Sequence, residues 1–359
     1  MRRALLKPRS PLVMEEVHSD TLFGAICWGY RWLYGEEALE QLLERFKSGE
    51  APFLISSCFP YLEAGRDRVY LYPKPVAFEP GGGEREGAEL AKKLKRIKYV
   101  SEGLFKNMCA SPGVEDKGKH KLHRREVLSF KVGGEWYIAD GEVALEREVA
   151  DRLVDENDEK SDEKKELRRK TLRIMGKYEK PGVQVNRLSV SPEETLHFRS
   201  EYTLAPNAGL HFLIDGSQEV VKEVEAALRF LADRGLGGKV SCGRGAFEFN
   251  GLKEDVELDK PKQGFVTLSL YLPKKEELSA FGEGNTWYEV AVRKGMVEGS
   301  FIKVGNQWKE KLLMFAEGSV FPAAGEEPYG RCEVVKQEPF EVLHYGYAFP
   351  VDFGRDGDA

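Results

Sequence analysis

Apolar residues recur at helical spacing in three stretches of the chain. Leu22, Phe23, Ile26, Tyr30 and Leu33 predict a helix that opens at Ser19 or Asp20, either of which would make a good N-cap, and closes at Gly35. Ala38, Leu39, Leu42, Leu43 and Phe46 predict a second that ends at Gly49. Val220, Val221, Val224, Ala227, Leu228 and Leu231 line one side of Gln218 to Arg234, with Gly235 placed to stop the turn. Strand-like runs lie between and after them: Ala4 to Leu6 (ended by Pro8 and Pro11), Phe53 to Phe59, Arg68 to Tyr72, and Ala246 to Phe249. His197 to Leu204 and Leu210 to Asp215, joined through Pro206-Asn207-Ala208-Gly209, read as a β-hairpin from their turn chemistry. Gly264 to Leu272, Lys311 to Phe315 and Val342 to Phe349 follow a polar, proline-containing stretch near 254–262.

From about 79 to 187 the periodicity is lost. That span holds Gly81-Gly82-Gly83, a hairpin signal at Gly133-Gly134 and a charged run from Asp151 to Lys170, so it reads as a long insertion. The predicted organisation is therefore a first unit, 1–255, interrupted by this insertion, and a second, 256–359. Without the insertion the first unit runs β, helix, strands, hairpin, helix, β, an order that suits an α+β ferredoxin-like sandwich.

The 359 residues suffice for two domains, and 41% hydrophobic with 32% charged residues is a folded composition. Apolar runs are too short to span a bilayer, and the opening Met-Arg-Arg-Ala-Leu-Leu-Lys-Pro lacks a signal-peptide core; the chain is read as cytoplasmic, with no membrane partner. Five scattered cysteines without a Cys-x-x-Cys pair argue against a disulfide framework and a cysteine zinc site. A net charge of −6 conceals a basic stretch, since residues 91–131 carry twelve Lys/Arg against four Asp/Glu.

Gly235 to Gly245 packs five glycines into eleven residues. It fails the P-loop pattern because Gly238-Lys239 is followed by Val240, and the dinucleotide fingerprint because the helix precedes the glycines. Two readings remain open on the loop alone: a tight helix-to-strand connection, or a cradle of backbone amides at Gly237, Gly238, Gly243 and Gly245, helped by Lys239 and Arg244, for a polyanion. His18 invites a catalytic reading, but His18-Ser19-Asp20 are consecutive at a helix start and cannot make a triad. His120-Lys121-Leu122-His123 sits among cations that would repel a metal, and RNA contact suits it better. Tyr345, Tyr347 and Phe349 alternate with strand period and are either core or a docking surface.

His18-Ser19-Asp20-Thr21-Leu22-Phe23-Gly24 and Gly238 to Phe249 together closely resemble the RAMP superfamily of CRISPR proteins, and in particular its fourth-subunit family of the type III-A (Csm) effector complex. Phe315-Ala316-Glu317-Gly318-Ser319 and Tyr345-Gly346-Tyr347-Ala348-Phe349 extend the likeness to the C-terminal end. The resemblance implies two ferredoxin-like (RRM-like) domains and a non-catalytic subunit without cofactors. Such a subunit holds the 5′ repeat tag of the CRISPR RNA and joins the large polymerase-domain subunit to the first backbone RAMP subunit. On this reading Lys239 and Arg244 hold phosphate with the loop amides, Arg124, Arg125 and Arg187 extend the basic path, and His18 is a secondary contact. Arg244-Gly245-Ala246-Phe247-Glu248-Phe249 only partly echoes the aromatic motif with which RRM sheets stack bases. The rival readings are a metal-independent CRISPR-RNA processing endonuclease, and a protein scaffold that never touches RNA.

Overall fold

The computed structural model describes residues 1–77, 95–110, 136–139, 141–153, 172–185, 192–253, 256–282, 284–297, 307–338 and 340–354. Arg124, Arg125, Arg187, the His120/His123 pair and most of the insertion lie outside them.

Helices α1 (Ser19–Tyr34), α2 (Glu36–Lys47) and α5 (Gln218–Arg234) form where the apolar period predicts them. Ser217 caps α5 by accepting from the Val220 amide, and Gly235 ends it at φ 103°. The shorter α3 (Glu102–Ala110) and α4 (Arg147–Arg152) belong to the insertion. The main sheet joins β1 (Arg2–Pro8), β2 (Phe53–Ile55), β3 (Phe59–Ala64), β4 (Asp67–Pro73), β5 (Tyr99–Ser101), β6 (Trp136–Ala139), β7 (Val143–Glu146), β10 (Ala208–Gly216) and β11 (Phe247–Lys253) in the order β11-β1-β10-β3-β4-β5-β7-β6, with β2 also on β10. Among these pairings only β5 with β7 is parallel. Strands β5, β6 and β7 of the insertion thus lengthen the main sheet instead of standing outside it.

The hairpin predicted at Pro206-Asn207 does not form as a pair. The tight turn is there, with the Ala208 amide on the Ala205 carbonyl at 2.9 Å, but the strands on either side diverge. β9 (Pro192–Leu204) pairs with β8 (Met175–Val185), while β10 inserts between β1 and β3. Burial explains the choice: Ala208 to Ile214 are all buried, so β10 needs neighbours inside the sheet, whereas β9 carries charge at Arg199 and Glu201.

Both faces of the central sheet are covered. On one, Ala4, Leu6, Phe212 and Ile214 pack against Phe23, Ile26, Val224 and Leu228 of α1 and α5. The two helices cross closely at Gly29, where a Cβ would stand 3.1 Å from Ala227. On the other face, Phe59, Tyr72 and Leu213 pack against Val266, Leu268, Phe349 and Val351 of the second unit. A face covered in this way offers no platform for stacked bases, in keeping with the partial aromatic motif at Arg244 to Phe249.

The second unit is built from the three-stranded sheet β15-β12-β18 and two-stranded ribbons. Its strands are β12 (Gly264–Thr267), β13 (Val290–Arg293), β14 (Leu312–Phe315), β15 (Val320–Pro322), β16 (Glu333–Lys336), β17 (Val342–His344) and β18 (Pro350–Asp352). Its helix among the described residues is the single turn α6 (Lys275–Leu278), so the helix pair of a ferredoxin-like sandwich is not seen there. The strand predicted over Val342 to Phe349 stops at His344. Tyr345 and Tyr347 are buried: the Tyr345 hydroxyl accepts from the Ile55 amide at 3.1 Å, and Tyr347 donates to the Phe46 carbonyl at 2.8 Å. The aromatic stripe is internal packing that joins the two units. The chain as a whole is α+β with one large mixed sheet.

Candidate nucleic-acid interface

The loop after α5 divides its glycines into two kinds. Gly235, Gly237 and Gly245 have φ of 103°, 88° and 76°, and a Cβ would meet Arg244 O at 2.5 Å, Met14 Cε at 2.3 Å and Leu236 O at 2.0 Å respectively. These three let the loop fold against itself and against the segment after β1, where the Gly245 amide donates to Pro11 O at 3.0 Å. Gly238 and Gly243 instead face outward: a Cβ on Gly243 would have nothing within 4 Å, and on Gly238 only Val13 Cβ at 3.9 Å. Between them Lys239 holds a left-handed conformation at φ 61°, and Lys239, Ser241 and Cys242 are exposed. The amides of Cys242, Gly243 and Arg244 turn back onto Lys239 and Val240 carbonyls, whereas those of Gly238, Lys239, Val240 and Ser241 have no backbone acceptor among the described residues. Backbone amides without a backbone acceptor, beside an exposed ammonium, are groups that can receive a phosphate.

Arg244 is placed differently from expectation. Its Nε lies 2.9 Å from Oε2 of Glu201, a fully buried carboxylate that also accepts from Arg199 at 2.8 Å and Tyr178 at 2.7 Å. Burial pushes the Glu201 carboxyl up, but Tyr178, Arg244 and Arg199 outweigh it and bring it to about 2. Arg244 therefore ties the loop to β9 and is not a side chain held open for a ligand. Arg9, which no motif singled out, lies on the loop's flank, its amide on Ala246 O at 2.8 Å and its guanidinium exposed 3.6 Å from Asp233.

His18 does not join the loop; the segment after β1 carries it into the junction of the two units. Its Nδ1 lies 2.8 Å from Glu317 Oε1, and Nε2 is 3.4 Å from Glu16. Neither predicted side-chain cap forms on the helix end: His18 is the N-cap residue, and the Ser57 hydroxyl accepts from the Ser19 amide at 2.8 Å. Ser57 in turn donates to Glu317. Ser19 Oγ accepts from the Leu270 amide at 3.1 Å, and Asp20 forms a two-pronged pair with Arg293 at 2.9 Å on each oxygen, with His344 Nε2 3.2 Å away. The whole motif is spent on fastening α1 to the second unit. Ser57 and His18 both contact Glu317 and not each other, and the motif's own Ser19 hydroxyl is engaged by the Leu270 amide, so His18 is not placed to activate either hydroxyl.

Beside this junction lies a cleft of about 1010 Å³ whose wall includes His18, Glu317, Arg293, Lys95, Arg96 and Lys98. The last three come from the basic stretch, which the sequence flagged only as a run. Among the described residues no three His, Cys, Asp or Glu side chains gather as a metal site. No helix there is long and apolar enough to cross a membrane.

Burial lowers the His18 pKa, but the Glu317 hydrogen bond and charge raise it above the ordinary imidazole value; Glu317, for its part, is raised by burial and drawn below its ordinary value by His18 and Ser57. Stability from the raised histidine is complete below its unfolded value and fades as pH climbs through the folded one. That from the depressed carboxylate is complete above its unfolded value and fades in acid. The pair thus contributes most between about pH 4.5 and 6.5. Thermal melts of His18→Gln should show a deficit of about 1–3 kcal/mol near pH 5.5 that narrows by pH 8.5; a deficit independent of pH would show that shape, not charge, is what His18 supplies.

A family model of the RAMP superfamily matches residues 5–248, more than half of the chain. The chain belongs to the RAMP superfamily. The model of the CRISPR Csm4 C-terminal domain matches residues 260–353. The chain is 28% identical over 355 residues to the CRISPR system Cms protein Csm4 of Thermococcus onnurineus (strain NA1), covering 96% of this RAMP chain and 94% of that one. With the Csm4 protein of Methanocaldococcus jannaschii it shares 27% over 323 residues, 84% and 78% of the two chains. Its fold is similar to that of a chain in the crystal structure of a Csm3–Csm4 subcomplex of the type III-A CRISPR-Cas interference complex, with TM-score 0.63 and 21% identity over 99% and 100% of the chains. A chain in the Csm1–Csm4 cassette in complex with pppApA gives 0.56 and 21% over 99% of each.

Proposed function

We propose that this chain is a non-catalytic, RNA-binding assembly subunit of a type III-A CRISPR effector, which holds the 5′ repeat tag of the CRISPR RNA and bridges the large subunit to the first backbone subunit. The observation that carries the RNA reading is the outward surface from Gly238 to Gly243, with its unspent amides and Lys239. The bridging role is brought over from relatives that were solved as Csm3–Csm4 and Csm1–Csm4 assemblies. We place the division of the chain at 1–255 and 256–359. The strand order β11-β1-β10-β3 with α1 and α5 on one face supports a ferredoxin-like first unit. Arg124, Arg125 and Arg187 extend the basic path in this reading, with His18 set aside for the junction and Lys95, Arg96 and Lys98 as added candidates.

One observation favours the rival, metal-independent cleavage: His18 lines the cleft with a carboxylate on Nδ1, as a general acid or base would have. One experiment separates the two. Repeat-tag RNA incubated with the pure protein in EDTA should stay intact while binding it. The affinity should fall with salt, and Lys239→Ala should remove about 0.7 from the slope of log affinity against log salt. Lys239→Ala is the cleaner probe because Arg244→Ala would also strand Glu201. An unchanged slope removes Lys239 from the interface, and cleavage that disappears in His18→Ala installs the enzyme instead.

A further inference from the structure

The ribbon of β8 and β9 carries its charge unequally on its two sides. Over Gly176 to Val183 and the opposing Leu196 to Thr203, the register sets Tyr178 against Glu201, Lys180 against Arg199 and Gly182 against His197 on one face. Arg173 joins that face, its guanidinium 3.5 Å from where a Cβ on Gly176 would stand. Arg173, Lys180 and His197 are exposed, and Arg199 is 28% exposed. The carboxylate of this stretch is Glu201, which is fully buried beneath Tyr178, Arg199 and Arg244 and so presents no negative surface. On the opposite face Lys177 is matched by Glu179, and the rest toward the tip is apolar: Pro181 against Phe198, Val183 against Leu196. Glu193 and Glu194 lie beyond the stretch, at the far end of β9. Lys180 and Arg199 are thus like charges set directly opposite, which destabilises a ribbon with nothing bound between them. The base of the ribbon is fixed, for Tyr202 and Leu12 exchange backbone bonds at 2.8 and 2.9 Å and Arg244 of the glycine loop reaches Glu201. The cationic face begins where the loop ends.

We infer that this face is a second anion-binding surface, taking the sugar–phosphate backbone of a single RNA strand as it leaves the glycine loop. The inference rests on the reading of the chain as an RNA-binding subunit, and it extends the site to Arg173, Lys180 and Arg199, which no motif singled out. Glu201 is their positioning residue: one buried carboxylate holds Arg199 of the ribbon and Arg244 of the loop at a fixed separation. The ligand follows from the shape and the charge together. From Gly176 to Gly182 the face runs roughly 20 Å, a narrow strip of cations along an extended backbone, which suits a strand with charge at every residue. The centre of a protein interface is instead depleted of charge. Continuity with the outward amides of the loop assigns both surfaces to one strand.

The test is a double variant of exposed residues in the full chain, Arg173→Gln with Lys180→Gln, which leaves Glu201 all three of its partners. With repeat-tag RNA the slope of log affinity against log salt should fall by about 1.4, two contacts at about 0.7 each, and the affinity at 0.15 M salt by roughly 10-fold. The melting temperature should hold or rise slightly, since a like-charge pair is relieved. The charge-keeping pair Arg173→Lys with Lys180→Arg should retain the wild-type slope; a loss there too would make shape and not charge the cause, and would overturn the proposal. A wild-type slope in the glutamine variant, with the slope still lowered by Lys239→Ala, would overturn it while leaving the loop as the RNA site. Polyglutamate that displaced the tag RNA as well as unlabelled RNA of equal charge would assign the face to an acidic protein instead. A wild-type chain that bound no RNA would remove both the proposal and the reading on which it rests.

Discussion

Asp20→Ala should cost about 3–5 kcal/mol, the usual price of removing one member of a buried ion pair. The carboxylate is 9% exposed and faces Arg293 and His344 of the second unit. Burial raises its pKa, but His344 and Arg293 outweigh this and hold it well below the usual carboxylate range. Truncation leaves an arginine and a histidine facing a hole at the foot of α1. Because the folded value is depressed, the contribution is complete above the ordinary carboxylate range and disappears only as pH falls through the folded value. Denaturant melts of wild type and variant should therefore differ fully at pH 6 and converge in strong acid. A difference below about 1 kcal/mol at pH 6 would place the two units' cohesion in the apolar packing around Tyr345 and Phe349 alone.

Gly245→Ala and Gly243→Ala, two residues apart, should behave in opposite ways. At Gly245 a Cβ falls 2.0 Å from Leu236 O with φ at 76°, so the loop must open. The left-handed backbone adds about 1–2 kcal/mol and the overpacking about 1–3 kcal/mol. At Gly243 φ is 72° but the space is empty, so only the backbone share applies. If RNA approaches the outward amides, Gly243→Ala should bind more weakly out of proportion to its small loss of stability, and Gly245→Ala should melt early whatever it binds. Equal melting temperatures for the two would contradict the packed geometry of the loop.

How much of this was legible in the residues depends on the range of the interaction. α1, α2 and α5 were readable because their apolar period and their glycine stops are local. The partner of β9 was not, because the Pro206-Asn207 turn is genuine while strand pairing is decided by the two-sided burial of β10, which no turn signal carries. The loop was found from its glycine count, yet the count could not separate Gly245, which packs, from Gly243, which is open. His18 and Asp20 stand out in the sequence but their junction partners do not, for Glu317 and Arg293 lie more than 270 residues downstream. Arg9 had no signal beyond its place before the first helix.

The pairing of β1 carries a consequence for synthesis. Its hydrogen-bonded neighbours are β10 and β11, so Arg2 to Pro8 leaves the ribosome without a partner until residues 208–253 have been made. At roughly 5–20 residues per second that wait is on the order of 10–40 seconds. During it Ala4-Leu5-Leu6 is an unpaired apolar strand, open to any exposed edge it meets. The flanks answer the hazard: Arg2 and Arg3 before it and Lys7-Pro8 after it are the charges and the proline that discourage self-association. Residues that look like an unremarkable basic N-terminus thus act as gatekeepers for a nascent chain, before Arg3 is withdrawn into the finished core beside Tyr72 and Glu102.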